Sequence, residues 1–198
     1  MASITSFLRK HNLIYTTCKL ATEKTALNRW VKEAGEGNQN AYKELYMRYA
    51  NPMFNVCIRM LGNRQEAEDV IQDSFTKAFQ NLHQLKEASM FGGWLRRIII
   101  NACIQRTSKR IDFRQLSAVY DITEEDDTDL CEAEDFRALH DAMKSLPDGC
   151  RQIFILYVTE DYSHKQIGSM LNISESTSKS QYARAKKLLR EQLIKGNG

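Results

Sequence analysis

From Tyr162 to Leu189 the chain reads YSHKQIGSMLNISESTSKSQYARAKKLL, a stretch whose punctuation predicts two short helices joined by a tight turn, the second of them basic. Ser163 is a good N-cap, and Gln166 three residues later can reach back to its amide, so the pair reads as a capping box. Ile167, Met170 and Leu171 supply an apolar face for the first helix. Asn172 tolerates the left-handed conformation that a sharp exit requires. Ile173 returns to the core, and Ser174 caps the second helix with Glu175 in its first turn. Ser176, Thr177, Lys179, Ser180 and Gln181 occupy the N-terminal turns of this second helix, which enter the major groove when a helix-turn-helix docks on duplex DNA. Arg184, Lys186, Lys187 and Arg190 follow, suited to phosphates. The plainer reading of the same caps is a helical hairpin with a solvated basic face.

Charge along the rest of the chain bears on that choice. The formal net charge is +3, but Asp112 to Asp135 holds ten acidic residues against the single Arg114. Outside this segment the balance is basic. From Phe91 to Arg110 the charged residues are Arg96, Arg97, Arg106, Lys109 and Arg110, with no acid among them. From Ser176 to Gly198 only Glu191 opposes six Lys and Arg. Two separated basic surfaces imply two contacts with a polyanion.

With only two prolines and long stretches at the helical period, the chain reads as all-α. A first helix is predicted from about Glu23 to Ala34, ended by Gly35 and Gly37. Asn38 caps a second helix, and Pro52 is expected to open a third. Gly62 and Asn63 make a turn before a helix from Arg64 to Leu82, which turns Ala67, Val70, Ile71, Phe75, Ala78 and Phe79 inward. Its outer face carries Glu66, Glu68, Asp69, Gln72, Asp73 and Lys77. After the loop from His83 to Met90, the helix Phe91 to Arg110 buries Leu95, Ile98, Ile99, Ala102 and Cys103, and Trp94 belongs to the same apolar stripe.

Ile111 to Asp135 has few apolar anchors and reads as a flexible acidic linker. As 25 residues of flexible chain it spans a root-mean-square distance of about 25–30 Å. The organisation is therefore an N-terminal extension, 1–22, of no assigned role; a helical domain, 23–110; the linker, 111–135; and a second helical domain, 136–198, containing the helix-turn-helix. Five cysteines, Cys18, Cys57, Cys103, Cys131 and Cys150, form no C-x-x-C pair and share no ligand spacing with the histidines, so neither a metal site nor a disulfide framework is expected. No bilayer-length apolar run and no secretory leader is evident, and membrane insertion is not expected.

In order as well as in kind, three stretches resemble one family. AYKELYMRYANPMFNVCIRMLGNRQEAEDVIQDSFTKAFQNL, then FGGWLRRIIINACIQRTSKR, then LPDGCRQIFILYVTEDYSHKQIGSMLNISESTSKSQYARAKKLL are similar to the bacterial RNA polymerase sigma factors of the extracytoplasmic-function type, in the sigma-70 family. The resemblance covers roughly Ala26 to Leu193. It implies that 23–110 is a region 2-like domain and 136–198 a region 4-like domain. It implies an alternative sigma factor that binds RNA polymerase core, through the clamp helices of the largest subunit and through the flap, and reads two promoter elements. Asp69, Gln72 and Asp73 would dock on the clamp helices, where an acidic, polar stripe gives orientation and discrimination. His83, Gln84, Lys86 and Ser89 on the loop, with Arg96, Arg97, Asn101, Gln105 and Arg106 on the helix after it, would hold the melted minus-ten element. A flipped base is held by stacking and edge hydrogen bonds while cations track the phosphates. Trp94 fits the core better than a stacking platform.

The same resemblance gives Ser176, Thr177, Lys179, Ser180, Gln181, Arg184 and Lys187 to the minus-thirty-five duplex, with Lys179 suited to guanine acceptors and Gln181 to adenine. Ser178 stands where the family most often has an apolar residue, and Ser176 replaces a frequent glycine. An anti-sigma factor packed between the domains is a partner common in the family. Such a protein works in the cytoplasm and needs no cofactor. No phosphate-binding G-x-x-x-x-G-K-[ST], H-E-x-x-H or G-x-S-x-G motif suggests an enzyme. The alternative is a stand-alone helix-turn-helix regulator whose N-terminal domain senses a ligand or dimerises. The acidic AEDVIQDSF face and the second basic surface favour the sigma factor.

Overall fold

A computed structural model describes residues 22–108 and 136–196, and among them every regular element is helical. The predicted linker, Lys109, Arg110, Cys18, Cys131 and the extension up to residue 21 lie outside the described residues. The helices are α1 (Thr22–Gly35), α2 (Gln39–Leu61), α3 (Arg64–Gln80), α4 (Phe91–Ser108), α5 (Phe136–Ser145), α6 (Asp148–Val158), α7 (His164–Leu171) and α8 (Glu175–Gly196). They fall into two compact units, one closing at Arg106 and the other taking up the chain at Thr107.

The first unit is built on the Asn38 cap and the Gly62 and Asn63 turn that the sequence announces, and the turn supplies a cap to each helix it joins. Asn38 Oδ1 accepts from the amides of Asn40 and Ala41, opening α2. Gly62 ends α2 in the left-handed region at φ 67°, its amide donating to the Ile58 carbonyl. Asn63 then caps α3 by accepting from Glu66 N at 3.1 Å. Each such cap satisfies amides that would otherwise lack an intrahelical partner, at a gain of about 1 kcal/mol.

Pro52 departs from expectation. Instead of opening a new helix it sits inside an unbroken α2. A proline within a helix costs roughly 3 kcal/mol. Against this, Ala41 and Leu45 before it and Met53, Val56, Cys57, Met60 and Leu61 after it are all buried. Large apolar side chains contribute roughly 1.5–3 kcal/mol each on burial, so the continuous face against α1 and α3 outweighs the local penalty.

Tyr42 meets Phe79 at 4.7 Å between ring centroids and Tyr46 meets Phe75 at 4.8 Å, tying α2 to α3 through tilted aromatic pairs. The expected loop after α3 is two short 3-10 turns, Leu82–Gln84 and Ala88–Met90, that pack on α1. From them α4 runs on with Phe91, Leu95, Ile99, Ile100, Cys103 and Ile104 buried. Trp94, Ile98 and Ala102 are half-buried at the margin of that stripe.

In the second unit, α8 packs on α5, α6 and α7. Every residue of α6 from Gly149 to Leu156, and Val158 beyond, is buried, which marks it as the central helix of its unit. Arg151 is among them. Its guanidinium donates to the carbonyls of Lys144 and Leu146 at the end of α5 and pairs with Asp148, so its charge is matched where it is buried.

The turn between α7 and α8 is drawn tight by one glycine. A Cβ on Gly168 would lie 2.8 Å from the Ile173 carbonyl oxygen. Gly168 O in turn accepts from Ile173 N at 2.9 Å, and Asn172 makes the exit at φ 55°. Gly168→Ala is expected to lower the unfolding free energy by about 1–3 kcal/mol, seen as a drop in thermal midpoint. Gly93→Ala, with nothing within 4 Å of its Cβ, is expected to raise the midpoint through helix propensity alone.

Candidate nucleic-acid interface

The capping box that opens α7 forms as predicted: Gln166 N donates to Ser163 Oγ and Ser163 N donates to Gln166 Oε1 at 2.8 Å. Ser174 caps α8, accepting from Thr177 N at 2.9 Å, and its hydroxyl also meets those of Ser176 and Thr177, each at 2.8 Å. These bonds hold the first turn of α8 in one geometry.

That geometry sorts the residues expected on the minus-thirty-five duplex. Ser176, Lys179 and Lys187 are exposed, and Arg184 is half-buried. Thr177 and Ser180 are 8% and 9% exposed, and the Ser180 hydroxyl is spent on the Thr177 carbonyl. Gln181, at 1%, is inside. Its Oε1 accepts from Cys150 Sγ of α6 at 3.1 Å. The expectation that Gln181 reads an adenine edge is thereby corrected: at the helical period, Ser178, Gln181, Ala185 and Leu189 form the inner stripe of α8, and all four are buried. Burial pushes the Cys150 thiol above its ordinary range, and the Arg184 charge pulls it partly back.

Ser178 is fully buried where an apolar residue was the commoner expectation. Its hydroxyl lies 3.0 Å from His164 Nδ1. The His164 ring stacks on Tyr157 at 4.3 Å and faces Tyr182 at 5.5 Å, and Tyr182 also packs on Phe154. The aromatic rings therefore join both helices of the motif to α6, and the Ser178 hydrogen bond joins the two helices to each other. His164 has no ligand spacing in the sequence, and its place behind the N-cap, opposite a serine on the next helix, is the signal for this packing role.

Lys179 Nζ lies 2.8 Å from Glu175 Oε1, one helical turn back. The carboxylate is held below its usual range, first by that hydrogen bond and then by the lysine charge. By position Glu175 is a first-turn acid; the i, i+4 spacing of Glu and Lys is what marks the pair.

The first unit presents two polar faces. Asp69, Gln72 and Asp73 are all exposed on one side of α3, backed by buried Val70, Ile71, Ser74 and Phe75. On α4, Arg97, Asn101 and Gln105 recur every fourth residue and are exposed, while Arg96 is half-buried. His83, Gln84, Lys86 and Ser89 are exposed in and between the 3-10 turns, with Gln84 Nε2 donating to Asn81 Oδ1 at 3.0 Å. The two faces meet: Arg106 of α4 donates to Asp69 of α3 at 2.8 Å.

Among the described residues, no group of His, Cys, Asp and Glu could hold a metal ion, and no helix is long and apolar enough to cross a membrane. Cys57, Cys103 and Cys150 are buried thiols outside any disulfide.

Comparison with known proteins bears on this arrangement. The family pattern described as Sigma-70 region 2 matches residues 45–110, and the one described as Sigma-70, region 4 matches residues 136–189. The ECF RNA polymerase sigma factor SigW of Bacillus subtilis is 29% identical over 82% of this chain and 94% of its own length. The ECF RNA polymerase sigma factor SigE of Mycolicibacterium smegmatis is 30% identical over 78% of this chain and 62% of its own length. Among solved structures, the sigma factor RpoE of Bartonella quintana in complex with the anti-sigma factor NepR aligns at a TM-score of 0.49 with 22% identity, over 79% of this chain and 98% of that one.

His164 also gives the motif a pH dependence. Its pKa is lowered from 6.5, first by burial and then by Lys179, with Glu175 opposing. The unfolded chain therefore takes up this proton before the folded one does, so the contribution is complete above pH 6.5 and is lost as pH falls from there toward the folded value. Thermal midpoints measured between pH 7.5 and 5 should fall more steeply for the wild type than for His164→Gln.

Proposed function

We infer the working of this protein from one premise: the chain belongs to the extracytoplasmic-function type of the bacterial sigma-70 family. It is an alternative sigma factor, which binds RNA polymerase core and directs promoter-specific initiation by reading two promoter elements. The observation that carries this reading is the presence in one chain of a region 2 match and a region 4 match, the second of them on a capped helix-turn-helix.

In the division of labour we propose, 23–110 docks on core and handles the minus-ten element, the acidic segment 111–135 tethers, and 136–198 reads the minus-thirty-five duplex. Asp69, Gln72 and Asp73 meet basic and amide groups of the polymerase clamp helices. Their shared exposed face supports this, because charged groups over a packed core keep their orientation and so discriminate among partners. Arg97, Asn101, Gln105 and Arg106, with His83, Gln84, Lys86 and Ser89 beside them, take the single strand of the melted element. Exposed cations and amides at one-turn spacing suit a backbone that runs along the helix. Arg96, half-buried, supports that surface from its edge.

On α8, Lys179 and Ser176 approach base edges, and Arg184 and Lys187 approach phosphates. Thr177 and Ser180 contribute through the shape of the first turns. The flap of the polymerase is the further contact of the second domain, and an anti-sigma factor is a partner of the same surfaces. Promoter opening draws on binding energy, so the protein needs no nucleophile, metal or cofactor, and we assign it no catalytic activity. It works in the cytoplasm, where polymerase and promoter are.

The test is transcription in vitro with the purified protein and sigma-free core, mapping the start sites. Starts that depend on the protein establish the reading and supply the promoter sequence. Failure to bind core, together with sequence-specific binding to duplex DNA alone, would overturn it in favour of a stand-alone regulator. Within the reading, Asp69→Lys with Asp73→Lys is expected to weaken core binding on the order of tenfold or more, measured by competition against unlabelled wild type. Lys179→Gln with Arg184→Gln should leave core binding intact while reducing promoter use, with the salt slope of duplex binding falling by about 1 for each phosphate that is no longer neutralised.

A further inference from the structure

The reading end of α8 contains a carboxylate that a surface built only to attract DNA would not have. Glu175 lies in the first turn of that helix, its Oε1 2.8 Å from Lys179 Nζ. Both side chains are about half exposed, at 47% and 54%, so the pair faces outward. Behind it the backbone is fixed by the Ser174 cap and by buried Ser178, which leaves the pair on a rigid base.

We propose that Glu175 is a specificity-determining residue for the duplex-reading helix, selecting a C·G pair by accepting from cytosine N4 while Lys179 donates to an adjacent guanine. The proposal rests on the assignment of α8 to the minus-thirty-five duplex and deepens it. Its physical basis is an exchange of partners. In free protein the Lys179 ammonium is matched by the carboxylate one turn away. On a phosphate the lysine gains an anion, but the carboxylate is then brought toward like charge with nothing to donate to it. On a base step that offers guanine O6 and N7 as acceptors and cytosine N4 as donor, both members of the pair are satisfied at once. Glu175 thus subtracts one charge from non-specific attraction and returns that loss only on the right bases. The carboxylate is held ionised by Lys179, so it acts as an acceptor at neutral pH.

The experiment uses the full-length protein, with wild type, Glu175→Gln, Lys179→Gln and the double variant. Binding is measured to two 30-base-pair duplexes across a salt series. One carries the upstream element mapped by the transcription experiment above, and the other is an unrelated sequence of equal composition. For Glu175→Gln, the unrelated duplex should bind more tightly, its salt slope should steepen by about 1, and the ratio of specific to non-specific affinity should fall about tenfold. The double variant should show the selectivity of Lys179→Gln, and replacing each C·G pair of the element in turn should identify one pair at which Glu175→Gln has become indifferent. Unchanged slope and ratio in Glu175→Gln, with wild-type selectivity intact, would overturn the proposal and leave the duplex-reading assignment standing. A wild type that binds both duplexes equally would overturn the two together.

Discussion

The second unit depends on a distance that only glycine permits. At Gly168 the backbone of α7 comes so near the Ile173 carbonyl that no side chain fits between them, and the same residue's carbonyl receives the Ile173 amide. Two successive backbone facts, the missing Cβ and the left-handed Asn172, thus fix the direction in which α8 leaves α7. Everything on the reading helix follows from that exit. Ser178 arrives opposite His164, Gln181 opposite Cys150 and Tyr182 among Phe154, Tyr157 and His164. The remaining faces of the helix are left to solvent and to DNA. A wider turn would bring different residues inward without changing a single helix propensity.

What could be read from the amino-acid sequence was what is local. The Ser163 and Gln166 box, the caps at Asn38 and Ser174, and the turns at Gly62 with Asn63 and at Asn172 each involve residues within four of one another. Their chemistry does not wait on the rest of the fold. Pro52 failed for the opposite reason, since its effect was set by an apolar face shared with α1 and α3, which together hold the helix through a residue that alone would break it. Gln181 failed likewise. A polar side chain four residues before Ala185 and eight before Leu189 lies on their stripe, so period predicts it inside while residue type predicts it outside, and Cys150 decides between them by offering a hydrogen bond. Arg151 could not have been placed at all without knowing where the α5 carbonyls end.

The interface surfaces are less lopsided than the charge count suggests. Arg106 and Lys179, each on a face assigned to nucleic acid, are matched within the protein by Asp69 and Glu175. Exposed pairs of this kind add little to stability, because water and salt screen them. Their larger effect is on encounter: a matched cation attracts polyanions less at a distance, and it must exchange one partner for another on contact. The two pairs differ in reach. Glu175 and Lys179 are one turn apart on a single helix, whereas Asp69 and Arg106 join α3 to α4 and so set the two polar faces of the first unit in a common frame.

The polar interior of the helix-turn-helix has a geometric consequence. Apolar side chains pack through volume, and a helix held only by them can roll a little at small cost. A hydrogen bond has direction, and the inner stripe of α8 holds one between Ser178 and His164 and another in which Gln181 accepts from Cys150, three residues apart. Successive residues are separated by roughly 100° around a helix axis, so these two bonds lie about 60° apart and cannot both survive a roll. They act as a keyway. The azimuth of α8 is thereby locked to α6 and α7, and the direction in which its outer side chains are presented is determined from inside the protein, before any partner is bound.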